Sequence, residues 1–112
     1  MSLTIQLQQN ETFTLITLSG KILSEGDLTN ANALLTEIKS WKIVFDLSKL
    51  THTNSSGIAF MVKTMTRARI QNGDVVLLSP ADSLKKLFEI TKMHEVFPIY
   101  DSLNAATNHF SK

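Results

Sequence analysis

The residues best placed to do chemistry in this chain are crowded into one polar stretch. Asp46, Ser48, Thr51, His52, Thr53, Asn54, Ser55 and Ser56 all precede Gly57, between a buried apolar run and an amphipathic one. Two kinds of chemistry fit such a set. His52 lies near Ser56, and with Asp46 as orienter the three form an imaginable nucleophilic serine arrangement. The Gly-x-Ser-x-Gly elbow of serine hydrolases is absent, however, and so small a domain offers no obvious substrate cleft, so the reading is non-enzymatic. The second kind is a switch. Asn54 suits the position before a helix, where its side-chain oxygen accepts free N–H groups, and Gly57 permits close packing in the first turn. Ser56 then lies at the helix N-terminus with its hydroxyl toward solvent. A phosphate there gains from the helix dipole and unpaired N–H groups, so the domain tolerates the added charge while a docked partner is repelled.

Counting 100° per residue places Ser56, Phe60, Lys63 and Arg67 on one stripe, opposite Ile58, Val62 and Met65. Phe60 is thus expected outside the core, as an aromatic interface anchor flanked by two cations. The candidate partner-binding residues are Asn54, Ser55, Ser56, Gly57, Phe60, Lys63 and Arg67.

Composition narrows the alternatives. The 112 residues carry eleven Lys plus Arg against ten Asp plus Glu, a formal net charge of +1. That is too little to draw the chain to nucleic acid or anionic lipid by field alone, although Lys63, Arg67 and Arg69 make a small basic patch. There is no cysteine, which excludes disulfides, thiolate catalysis and Cys-based zinc sites and suits a reducing cytoplasm. His52, His94 and His109 are scattered without a metal-binding pattern. With four glycines, no two close together, neither a phosphate-cradling loop nor a dinucleotide fingerprint is present, and no cofactor is expected. The N-terminus shows no secretory pattern, and no run approaches a membrane span.

Around the polar stretch the elements follow from periodicity. Leu3, Ile5 and Leu7 alternate with polar residues, and Phe13 to Leu18 follows a turn at Asn10-Glu11, giving an antiparallel hairpin that ends at Ser19-Gly20. Ser24 with Asp27 opens a helix whose face is Leu28, Ala31, Leu34, Leu35 and Ile38. Lys42 to Leu47 is a buried strand, Ser48 to Thr53 a polar loop, and the next helix turns Ile58, Met61, Val62, Met65 and Ala68 inward before Asn72-Gly73 stops it. Val75 to Leu78 is a strand. Ser79-Pro80 starts a helix carrying Leu84, Leu87 and Phe88, with the serine as cap. Val96 to Tyr100 reads as an edge strand because of Pro98, and Ser102 to Phe110 as a closing helix. The order β-β-α-β-α-β-α-β-α, with four helices, predicts a single α/β domain over residues 3–110 with a mixed sheet, its later strands parallel.

Ser19-Gly20, Val44-Phe45-Asp46-Leu47-Ser48 leading to Asn54-Ser55-Ser56-Gly57, and Ser79-Pro80 before Leu84-Lys85-Lys86-Leu87-Phe88 together resemble the STAS family, specifically the bacterial anti-sigma factor antagonists. The resemblance covers Leu3 to about Phe110. It implies a partner-switching regulator. The second serine of the family's Asp-Ser-Ser-Gly motif, Ser56 here, is phosphorylated by an anti-sigma factor that is also a serine kinase; the unmodified antagonist binds that kinase, and a serine phosphatase resets the cycle. Other family members act as constitutive scaffolds or complex subunits, the alternative reading. Asn54 replaces the motif's aspartate, and Leu23 stands where an acidic residue often follows the second-strand glycine. Asp27 takes that role if the loop is longer.

Overall fold

A computed structural model describes residues 3–111. Five strands form one sheet in the spatial order of the chain: β1 (Leu3–Gln9), β2 (Thr14–Lys21), β3 (Lys42–His52), β4 (Asp74–Leu78) and β5 (Ile99–Tyr100). β1 pairs antiparallel to β2, and every later pair is parallel. This is the mixed sheet expected from the hairpin followed by strand–helix alternation.

Five α-helices rather than four accompany it: α1 (Thr29–Leu34), α2 (Ser55–Ile70), α3 (Asp82–Ile90), α4 (Met93–Val96) and α5 (Leu103–Asn108). The extra one, α4, lies just before the segment expected as a strand and takes its first residue, Val96. Lys92 enters the left-handed region at φ 57° and turns the chain into a single helical turn, which leaves only Ile99 and Tyr100 for β5. The helix expected from Ser24 is split into a 3₁₀ turn (Glu25–Leu28), α1 and a second 3₁₀ turn (Leu35–Glu37). Its stripe survives, with Leu28, Ala31, Leu35 and Ile38 buried, while Thr29, Asn30 and Asn32 supply weak helix propensity between them.

The sheet has a core on each face. The larger packs Ile16, Leu18, Ile43, Phe45 and Leu77 against side chains of α1, α2 and α3. The smaller gathers Val44, Val76 and Leu78 under Ala106 of α5, with Phe13, Tyr100 and Phe110 at its rim. Strands β3 and β4 are thus covered on both faces, which is why both read as continuous apolar runs.

Two turns show how local chemistry sets element ends. α2 stops in a Schellman arrangement: Asn72 adopts φ 64°, Gly73 N–H donates to Ala68 O at 2.7 Å, and Asn72 N–H donates to Arg69 O at 3.2 Å. Ser79 does not cap α3. It sits at φ 47°, its N–H donates to Tyr100 O and its hydroxyl to Asp101 O, so β5 claims the groups the cap needed and Ala81 takes the cap position.

A polar chain ties α5 to the sheet. The Asp74 carboxylate accepts from His109 Nε2 at 2.9 Å, Val75 N–H at 2.9 Å and Arg69 Nε at 3.2 Å. A carboxylate only accepts, so Nε2 carries the hydrogen, and in the neutral ring Nδ1 accepts from the Tyr100 hydroxyl at 3.0 Å. Burial alone would raise the Asp74 pKa. The bonds from His109, Val75 and Arg69 together outweigh it and hold the group below its ordinary value. A depressed folded-state pKa gives stability that is full above the unfolded pKa and lost as pH falls through the folded one. Acid unfolding of the wild type is therefore expected to steepen below the usual carboxylate range, and Asp74→Asn should flatten that slope while lowering stability at neutral pH; denaturant titrations at a series of pH values check both.

Candidate functional site

The polar stretch is delivered differently from the sequence reading. Ser48 to His52 is not a loop, because β3 runs on through His52. Register shifts against β2 between Thr17 and Ser19 and between Gly20 and Lys21 break the period-2 pattern, so Ser48 and Lys49 are both exposed between buried Leu47 and Leu50. The connection to α2 shrinks to Thr53 and Asn54.

That short link fixes the geometry of the helix start. Asn54 is extended at φ −145°, and its Oδ1 accepts from Ser56 N–H at 3.0 Å and Gly57 N–H at 3.2 Å. The Ser56 and Gly57 N–H groups are thus engaged by the cap. Gly57 is buried where α2 crosses Ile22, whose own N–H donates to His52 O at 2.9 Å. An ideal Cβ on Gly57 would overlap Thr53 Oγ1, a buried hydroxyl without a hydrogen-bond partner among the described residues, and would stand 3.1 Å from Ile22 Cδ1. Gly57→Ala is thus expected to cost about 1–3 kcal/mol, read from the urea midpoint, since Ile22 and Thr53 must both give way.

Ser55 is exposed and Ser56 half-buried in the first turn, and Ser56 Oγ has no hydrogen-bond partner among the described residues. It opens onto a groove of about 480 Å³ between the Glu25–Asn32 segment and the first two turns of α2. Glu25, Thr29 and Asn32 line one wall, and Ser56, Ala59, Phe60 and Lys63 the other. Lys63 is exposed and lies about 10 Å along the helix from Ser56 at 1.5 Å per residue.

Two members of the expected stripe sit elsewhere. Phe60 is 5% exposed and belongs to the main core, its ring 5.9 Å from that of Phe45. The buried arc of α2 is Gly57, Phe60, Met61, Thr64, Met65 and Ala68, whereas Val62, expected inward, is 39% exposed. The arc turns because Thr64 fits the interior: its hydroxyl donates to Phe60 O at 2.7 Å, so it packs as a small satisfied residue and brings Phe60, about 40° away, in with it. Phe60 therefore meets the groove from the core side. Arg67 lies about 16 Å from Ser56 along the axis and is held 5.2 Å over the Trp41 ring, at the far end of α2.

The nucleophilic arrangement is not assembled. Asp46 Oδ1 accepts from Ser48 N–H and Oγ, and His52 Nδ1 bonds Thr51 Oγ1. Among the described residues no three His, Asp or Glu side chains gather as metal ligands, and no helix is long and apolar enough to cross a membrane. Asp27 Oδ2 accepts from Leu23 N–H at 2.8 Å and Ser24 N–H at 3.2 Å, and Leu23 is 60% exposed. The carboxylate-bearing residue that does line the groove is Glu25, which the sequence reading passed over although it lies within the Ser24–Asp27 helix start.

Comparison with known proteins agrees with this architecture. A putative anti-sigma factor antagonist, BtrV of Bordetella bronchiseptica, is 28% identical over 69 residues, or 62% of this chain; the chain spans about 60% of that relative's length. The solved structure of the anti-sigma factor antagonist SpoIIAA in its unphosphorylated form superposes with a TM-score of 0.75 at 17% identity, covering 97% of this chain and 98% of that one. An anti-sigma factor antagonist from Mycobacterium paratuberculosis gives 0.73 at 18% identity, covering 99% and 96%. The STAS domain profile matches residues 4–106. With that match across nearly the whole chain and a mixed five-stranded sheet of the same architecture, the chain belongs to the STAS domain family.

Proposed function

We propose that this chain is a cytoplasmic anti-sigma factor antagonist, a non-enzymatic regulator that binds an anti-sigma factor serine kinase through the groove beside Ser56 and is released when Ser56 is phosphorylated. The observation that carries the reading is the Ser56 hydroxyl, without a hydrogen-bond partner among the described residues, on an open groove at the N-terminus of the sixteen-residue α2. The relatives' names support the antagonist role, and one neighbour of the same fold, SpoIIAA, has a structure in its phosphorylated form.

The cap sharpens how the added charge acts. With the Ser56 and Gly57 N–H groups bound by Asn54, a phosphate on Ser56 gains chiefly from the helix dipole. It adds negative charge to a groove that Glu25 and Lys63 also line, while leaving the core intact. Incubation with ATP and the serine kinase encoded nearest its gene, followed by mass mapping, should place one phosphate on Ser56, and Ser56→Ala should take up none. An unmodified chain that holds a stable complex would instead support a constitutive scaffold, the reading favoured by Asn54 in place of the motif's aspartate.

A further inference from the structure

The sheet has two free edges, built differently. β5 is two residues long and follows Pro98, which makes it a poor template for another strand. β1 is seven residues long, Leu-Thr-Ile-Gln-Leu-Gln-Gln, with no charge, proline or glycine and an unbroken register against β2. The backbone groups it turns away from β2 form an unprotected row. Along this edge runs a groove of about 410 Å³, lined by Leu3, Thr4, Ile5, Asn30, Ala33 and Leu34, and Ile5, Leu7 and Leu34 are only half-buried.

We propose that β1 is a self-association surface on which a second copy of this chain adds its own β1, antiparallel and centred on Gln6, joining two sheets into one. The two-fold register sets Ile5 against the partner's Leu7 on the helix-covered side and Thr4 against the partner's Gln8 on the wet side; Gln6 meets its own copy. Apolar Ile5 and Leu7 thus meet on the helix-covered side and polar residues meet on the wet side, only the end pair of Leu3 against the partner's Gln9 being mixed, and a homotypic pair of uncharged strands carries no electrostatic penalty. A charged or proline-bearing partner strand would lose that match. The Ser56 groove lies on the other side of α1, lined by Thr29 and Asn32 rather than by Asn30, Ala33 and Leu34, so both copies keep it open.

One strand pair is a small interface, so association is expected to be weak and to emerge between about 10 µM and 1 mM. Sedimentation equilibrium of the wild type should show mass rising from monomer toward dimer over that range. Gln6→Lys, at an exposed position, should raise the dissociation constant at least about tenfold with an unchanged unfolding midpoint. Because the chain has no cysteine, Gln6→Cys should give a disulfide-linked dimer on mild oxidation, whereas Lys85→Cys on α3 should not. A monomeric mass throughout, a dimer indifferent to Gln6→Lys, or equal cross-linking at position 85 would overturn the proposal.

Discussion

Replacing Phe60 with alanine is expected to lower the unfolding free energy by about 3–5 kcal/mol, the range for deleting a buried aromatic ring. The ring packs on Phe45 between α2 and the sheet and closes the core side of the groove. A surface anchor would behave oppositely, losing partner affinity at unchanged stability, and that is what the stripe Ser56, Phe60, Lys63 and Arg67 implied. Urea unfolding of Phe60→Ala separates the two cleanly. A loss below about 1 kcal/mol would mean that the ring is not the core element described, since surface truncations usually stay within that bound.

The second large effect is expected in binding. Ser56→Asp should weaken the complex with the proposed kinase partner by about 10–100-fold, about 1.4–2.7 kcal/mol, because a negative charge is forced into a docked groove. Stability should change little, since the new carboxylate sits in the first turn of α2, where the dipole favours negative charge. Binding measured by calorimetry beside a thermal melt distinguishes a blocked interface from a damaged fold.

What was legible from sequence was local. The hairpin, the buried runs of β3 and β4, the Asn54 cap and the Asn72-Gly73 stop each rest on residues within a few positions of one another, where periodicity and turn chemistry act directly. What was not legible depends on distant pairing. β3 continues to His52 because β2 supplies Ser19, Gly20 and Lys21 as partners, and the accompanying bulges hide the alternation. The phase of the α2 stripe turned on Thr64, whose hydroxyl is satisfied inside its own helix, a fact that side-chain polarity conceals. Arg67 read as a binding cation because Trp41 lies 26 positions earlier, and Ser79 read as a cap because the carbonyls of Tyr100 and Asp101 that engage it lie beyond α3 and α4. Helical spacing put Ser56 and Lys63 on one stripe, and both line the groove, but the opposite wall with Glu25, Thr29 and Asn32 comes from separate elements that no single-helix count reveals.

On the proposed function, one hydroxyl at the start of α2 controls whether a partner occupies the groove beside it. The most direct measurement is a calorimetric titration of the kinase partner with the unmodified chain and with chain carrying stoichiometric phosphate on Ser56. Saturable one-to-one binding is expected for the first and at least about tenfold weaker binding for the second, at matched unfolding midpoints. Equal affinity for the two forms would contradict it.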